Sequence, residues 1–197
     1  MPGAAFYEAA NITDLEDVLA QNRDADLLLM DLHMPGANGF VGLSHVVLHY
    51  PQLPVVMISA NESLSVVASA KHYGALGFIA KSASISEICR VVERVLMGET
   101  CFPPTISDYT HDEQYEVDKL IKTIAELTPK QLEVFTLLAN GLLNKQIAYE
   151  QQVTEATVKA HVTAIMRKLG VNNRTQVVLI ASKVRVDDVY GSASSND

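Results

Sequence analysis

Three polar residues stand where short apolar runs end. Asp31 closes the run at 27–31, Ser59 closes 55–59, and Lys81 follows 76–80. Continuous apolar runs of this length read as strands buried on both faces. In a parallel sheet the carboxyl ends of such strands line one crevice. A carboxylate, a hydroxyl and an ammonium gathered there suit phosphoryl chemistry, with Asp31 meeting phosphorus and Ser59 and Lys81 binding phosphoryl oxygens. Strand ends are often polar for no chemical reason, so the trio alone leaves that plainer reading open. A second set lies at 155–169. Successive helical residues turn by about 100°, which gathers Val158, Val162, Ile165 and Leu169 into an apolar stripe. The opposite side carries Ala156, Ala160, Thr163 and Arg167, with Lys159 at its margin. Small side chains let a backbone approach base edges, and Lys159 and Arg167 reach far enough for phosphate or guanine. Taken alone, this helix reads equally as an ordinary amphipathic one.

The elements that must position these groups fall into two patterns. Residues 1–98 alternate strands and helices, a doubly wound α/β pattern. The expected strands are 6–10, 27–31, 55–59 and 76–80; the expected helices are 13–22, 38–50, 63–73 and 84–97. Thr13 with Glu16 and Ser84 with Glu87 are capping boxes. Residues 127–183 instead give helix starts in quick order. Thr128, Pro129 and Gln131 supply an N-cap, a proline at the first helical position and a capping-box glutamine. Asn144 is expected to cap a short helix through Gln151, and Thr154 a third that Gly170 closes. Between the two patterns, Pro103 and Pro104 stop the first, 107–118 is polar and acidic and expected to be mobile, and 119–126 is expected to form a short helix. The organisation read from this is 1–98, a linker at 99–126, a helical domain at 127–184 and a frayed tail at 185–197.

Composition narrows the function. The net charge of −8 is unevenly spread. Residues 1–98 carry five Lys/Arg against ten Asp/Glu, and 99–126 carry two against seven. Residues 127–183 carry seven against three, the only positive region, as a phosphate-binding surface requires. No apolar run approaches the ~20 residues that cross a bilayer, and the start has no basic, apolar leader, so a cytoplasmic protein without membrane contact is expected. Cys89 and Cys101 have no partner at metal spacing and are expected as free thiols. His45, His49, His72 and His111 are isolated and read as ordinary residues.

Residues 127–176 resemble the LuxR/NarL-type (FixJ-like) helix-turn-helix along their whole length. The matching words are Leu127-Thr128-Pro129, Gly141, Asn144-Lys145 with Ile147-Ala148, Thr157-Val158-Lys159 with His161, Lys168-Leu169-Gly170-Val171, and Asn173-Arg174-Thr175-Gln176. The resemblance implies major-groove recognition by 155–169, with Lys159, Ala160 and Thr163 facing the groove and Thr157 and Arg167 beside them. It implies phosphate contacts from the helix before it, with Asn144, Lys145 and Arg174 among the DNA-binding residues, and dimerisation through the last helix at Val178 and Leu179. Two residues depart from the pattern: Gln151 replaces the usual leucine and Gln152 the usual glycine of the turn. A positive φ at Gln152 would store on the order of 1 kcal/mol.

Residues 5–98 resemble the receiver domain of two-component response regulators, through Asp31-Leu32-His33-Met34-Pro35-Gly36, Ser59-Ala60 and Gly77-Phe78-Ile79-Ala80-Lys81. The resemblance implies a flavodoxin-like fold with Asp31 as phosphoacceptor, Ser59 as switch hydroxyl, Phe78 as aromatic switch residue and Lys81 as phosphoryl partner. His33 is common in this loop and is not read as a ligand. The family's first strand, first helix and the acid pair that holds Mg²⁺ have no counterpart here, so the receiver reads as N-terminally truncated. Of the metal's carboxylates only Asp31 remains. The loss would leave 27–31 as an unpaired apolar edge. Either 6–10 shifts to pair with it, or another chain covers it, or the gene product starts further upstream, which is the reading favoured.

The expected function is a DNA-binding transcriptional regulator that is not itself an enzyme, working as a homodimer on double-stranded DNA, with a histidine kinase phosphorylating Asp31 and RNA polymerase as a further partner. The alternative is a phosphorylation-independent DNA binder whose truncated receiver is an interaction module. A phosphatase using Asp31 would need a second acid two residues later, where His33 stands.

Overall fold

The computed structural model describes residues 3–37, 39–103 and 115–184, with Tyr115 described by its backbone alone. In chain order the elements are α1 (Ile12–Gln21), β1 (Leu28–Asp31), α2 (Phe40–His49), β2 (Val55–Ser59), α3 (Leu64–His72), β3 (Gly77–Ala80) and α4 (Ile85–Leu96). They continue as α5 (Tyr115–Ala125), α6 (Pro129–Ala139), α7 (Asn144–Glu150), α8 (Glu155–Leu169) and α9 (Arg174–Lys183). The strands form a parallel sheet in the order β1-β2-β3, with Leu28 opposite Val55 and Val56 opposite Gly77. Alternation of side chains sends Met30, Val55, Met57 and Phe78 to one face and Val56 and Ile79 to the other. The first face is packed with α2 and α3 residues; the second meets Val91 and Val95 of α4. This is the doubly wound arrangement that the alternating pattern predicts.

The outer side of β3 is closed by a bridge to Cys101, whose amide donates to the Leu76 carbonyl at 2.8 Å. Among the described residues β1 has β2 as its only neighbour, and its Leu29 is 39% exposed. The predicted strand at 6–10 does not form. Phe6 and Tyr7 are exposed, and among the described residues no strand pairs with them. Cys89 and Cys101 are free, as expected.

Capping chemistry sets the helix boundaries, and corrects two of them. α1 is capped by Asn11, which accepts from the Asp14 amide at 2.9 Å; Thr13 lies inside the helix, its hydroxyl buried and without a partner. α7 begins at Asn144, one residue earlier than a cap there would allow. Its N-terminus is closed from within by Gln146, which accepts from the Leu143 amide at 2.7 Å. The Thr128–Gln131 box, the Ser84 cap, the Thr154 cap and the left-handed Gly170 (φ +67°) stand as read.

The largest departure is in the connector. Residues 115–118, expected to be mobile, are the first turn of α5, which lies along α2. Ile121 and Ile124 are fully buried there, and Tyr73 and His72 both bond Asp118, at 2.6 and 2.9 Å. Burying each isoleucine stabilises this docking by about 1.5–3 kcal/mol, enough to hold a helix whose polar sequence suggests solvent. The remainder of the stretch expected to be mobile, 107–114, and the tail at 185–197 lie outside the described residues. The apolar cluster runs without a break from the sheet through α2 and α5 to Leu132, Phe135, Val158, Ile165 and Val177 of the C-terminal helices.

Candidate functional site

The ends of the three strands bring the first set of residues together. Lys81 Nζ lies 2.6 Å from Asp31 Oδ2, and the His33 amide donates to Asp31 Oδ1 at 3.1 Å. Burial pushes the Asp31 carboxyl up, but the bonds from Lys81 and His33 and their charges outweigh it and hold it below the usual carboxylate range. Ser59 is fully buried, its Oγ accepting from the Asn61 amide at 3.0 Å. The Lys81 amide donates to the Ser59 carbonyl at 2.8 Å, fixing the two strand ends side by side. Phe78 is 6% exposed and packs into the core.

The loop that follows Asp31 reaches the C-terminal helices. Gly36 adopts φ +79°, and a Cβ placed on it would stand 3.1 Å from both Glu133 Cγ of α6 and Ile12 Cγ2 of α1. Only glycine combines that backbone with that contact. The Ile12 amide donates to Pro35 O at 3.3 Å, and Glu133 holds Lys130 at 3.0 Å. The acidic site and the helical unit are therefore linked by one short, backbone-ordered loop.

In the helical unit, Val158, Val162 and Ile165 of α8 are buried, and Leu169 is half-buried. Lys159, Ala160, Thr163 and Arg167 are exposed and line a shallow concavity of about 440 Å³ with Ala164. Lys159 pairs with Glu155 at 3.4 Å, an exposed i,i+4 contact worth only about 0.3–0.5 kcal/mol and so readily exchanged for a phosphate. The Thr157 and Thr154 hydroxyls are hydrogen-bonded to each other at 2.8 Å, and Lys145 is exposed at the start of α7. Asn144 and Arg174 are otherwise engaged. Arg174 donates to Asn144 Oδ1 at 3.2 Å and also to the Leu142 carbonyl, tying α9 to the α6–α7 turn. Val178 is half-buried on α9 and Leu179 is 58% exposed.

Comparison with known proteins agrees with both halves of this geometry. The family model for the response regulator receiver domain matches residues 3–93, and that for bacterial regulatory proteins of the luxR family matches residues 125–181. A glycerol metabolism activator of Pseudomonas putida is 39% identical over 188 residues, covering 93% of this chain and 85% of that protein. The transcriptional regulatory protein LnrK of Bacillus subtilis is 32% identical, covering 85% and 80%. The response regulator protein VraR of Staphylococcus epidermidis is 33% identical, covering 79% and 73%. The chain belongs to the luxR-type two-component response regulators. It is a DNA-binding transcriptional regulator built from a receiver and a luxR-type helix-turn-helix.

Receivers of this kind employ Mg²⁺ beside the phosphoacceptor. Among the described residues of this regulator, no group of three or more His, Cys, Asp or Glu is arranged to hold a metal ion. Asp31 is the one carboxylate at the strand ends, and Lys81 already occupies one of its oxygens. These residues do not by themselves fit the ion. Sequence reasoning also missed a second polar cluster. His45, read as ordinary, is 1% exposed and bridges Glu16 to the Ala125 carbonyl. A lone histidine on an apolar helix carries no signal of partners that lie 29 and 80 residues away.

Proposed function

We propose that this regulator reads duplex DNA through α8, with Lys159, Ala160 and Thr163 entering the major groove, and Thr157, Arg167 and Lys145 meeting the backbone beside it. The observation that carries this reading is the exposed, small-residue face of α8, set in the only positive stretch of the chain. Val178 and Leu179 of α9 are the proposed contact between two copies on a two-fold site. Asp31 is the proposed phosphoacceptor, with Ser59, Phe78 and Lys81 as its responders and a histidine kinase as donor, and transfer to this chain is expected to be slow because Asp31 lacks further carboxylates beside it among the described residues. RNA polymerase is the proposed downstream partner, and all of this takes place in the cytoplasm without catalysis by the chain itself. The division into 1–98, 99–126, 127–184 and 185–197 belongs to the same reading. A second reading has support of its own. The α8 face is open while the helical unit is docked on the receiver part, so DNA binding without phosphorylation is compatible with this conformation.

The test is a binding series on duplexes that the full chain selects from a random pool. Affinity should fall steeply with salt. Lys159→Ala should cost about 1–3 kcal/mol if it contacts a base, and Thr163→Ala should weaken selected sites more than random ones. No binding at low salt would sink the proposal.

A further inference from the structure

We infer that His45 is a doubly protonated positioning residue that latches α1 and α2 to the end of α5, and so fixes the attitude of the DNA-binding unit to the receiver part. Each ring nitrogen of His45 faces an oxygen. Nδ1 lies 2.8 Å from the Ala125 carbonyl oxygen, and Nε2 lies 2.8 Å from Glu16 Oε1. A carbonyl only accepts, and an ionised carboxylate only accepts. Both ring nitrogens must then carry hydrogen, unless the second proton sits on Glu16. The Tyr50 bond to the other carboxylate oxygen favours an ionised Glu16, and so a proton on the ring. Burial pushes the Glu16 carboxyl up, but the bonds from His45 and Tyr50 and the charges of His45 and His49 outweigh it and hold it below its ordinary value. Tyr50 donates its hydroxyl to Glu16 Oε2, and burial together with that bond raises the phenol to about 12, so it stays a donor throughout.

The position of this pair gives it leverage. Ala125 is the last residue of α5, and Glu126 and Leu127 alone separate it from the Thr128 cap of α6. The next carbonyl, that of Glu126, accepts from Lys168 of α8 at 2.8 Å. Two adjacent carbonyls are thus held from opposite sides, one by the receiver part and one by the recognition helix. A neutral ring would keep its Nδ1–H on Ala125 but turn a lone pair toward Glu16, leaving a half-buried carboxylate short of a donor. A ring that has lost this proton loses its bond to Glu16, so raising the pH favours parting.

Other charged groups lie near and must be separated from this one. His49 stacks on His45 with ring centroids 4.2 Å apart. Asp17 and Arg23 accompany Glu16 on and after α1; Lys71 and His72 lie on α3; Lys122 and Glu126 are exposed at the end of α5; Lys130 and Glu133 pair on α6. His72 with Asp118 is a second titratable clamp on α5.

The experiment uses the full chain. Histidine ring ¹⁵N spectra and small-angle scattering are recorded from about pH 5.5 to about pH 9.5, a range that brackets ordinary histidine titration. His45→Gln identifies the His45 signals. The expected result is a ring protonated on both nitrogens near neutral pH, and a scattering radius that rises as that proton is lost. Glu16→Gln should leave a neutral ring, since a glutamine can donate to Nε2, with the radius small at every pH. His72→Gln should leave the transition in place. A His45 ring that is neutral at Nε2 throughout would overturn the inference. So would an unchanged transition in Glu16→Gln, or one abolished by His72→Gln alone. If Glu16→Gln fails to fold, the ring spectrum of the unaltered chain decides.

Discussion

Gln152 holds φ +51°, the one described non-glycine residue in the left-handed region, and its neighbour Gln151 buries a side-chain oxygen with no partner. Both are local costs in the turn before α8. Gln152→Gly should relieve strain of about 1 kcal/mol but adds glycine's backbone entropy of about 0.5–1 kcal/mol, so its net gain is small. Gln151→Leu removes an orphaned acceptor worth about 1–3 kcal/mol and should stabilise more. Equilibrium denaturation of the two variants checks the ranking, and a Gln151→Leu chain less stable than its parent would contradict it. These residues were legible in sequence because each departs from the pattern of the family that the segment resembles, a leucine at 151 and a turn glycine at 152. Asp31, Ser59 and Lys81 were legible because a parallel strand delivers its last residue to one place. The Asn144–Arg174 bond was not, because two polar side chains 30 residues apart give no sign that they will meet.

Among elements, the helices with a side-chain cap were read nearly to the residue, since the cap is a local event. The failures were those that depend on a distant surface. Residues 6–10 have strand-like composition but no partner strand. The first turn of α5 looks like solvent-loving chain until Asp118 meets Tyr73 and His72. α9 poses the opposite case: Val177 and Ala181 are buried within the unit, while Leu179 is left outward and Val178 at the margin. The proposed contact between two copies falls on that outward side. Leu179→Glu should therefore lower cooperativity on a full two-fold site while leaving affinity for a half-site nearly unchanged. Equal binding of the variant and the parent to full sites would place the interface elsewhere.

At the scale of the molecule, receiver part and DNA-binding unit share one apolar cluster, so a change at Asp31 has a packed route to α6 through Gly36 and Glu133. Whether that route is driven in this chain is a matter of chemistry at Asp31. A transferring phosphoryl group needs its charge neutralised, and the described residues offer Lys81 but no further carboxylates to hold a cation. Incubation with Mg²⁺ and a small-molecule phosphodonor should give little adduct by intact mass. A stoichiometric adduct that disappears in Asp31→Asn would refute this. The side of β1 away from β2, which has no strand partner among the described residues and leaves Leu29 39% exposed, has a consequence for handling rather than for signalling. A sheet rim of that kind is a template on which further strands can deposit. Colloidal stability then depends on mutual repulsion between molecules carrying a net charge of −8. Salt screens that repulsion and acid titrates it away, so clarity of a concentrated solution should fail first under those two conditions.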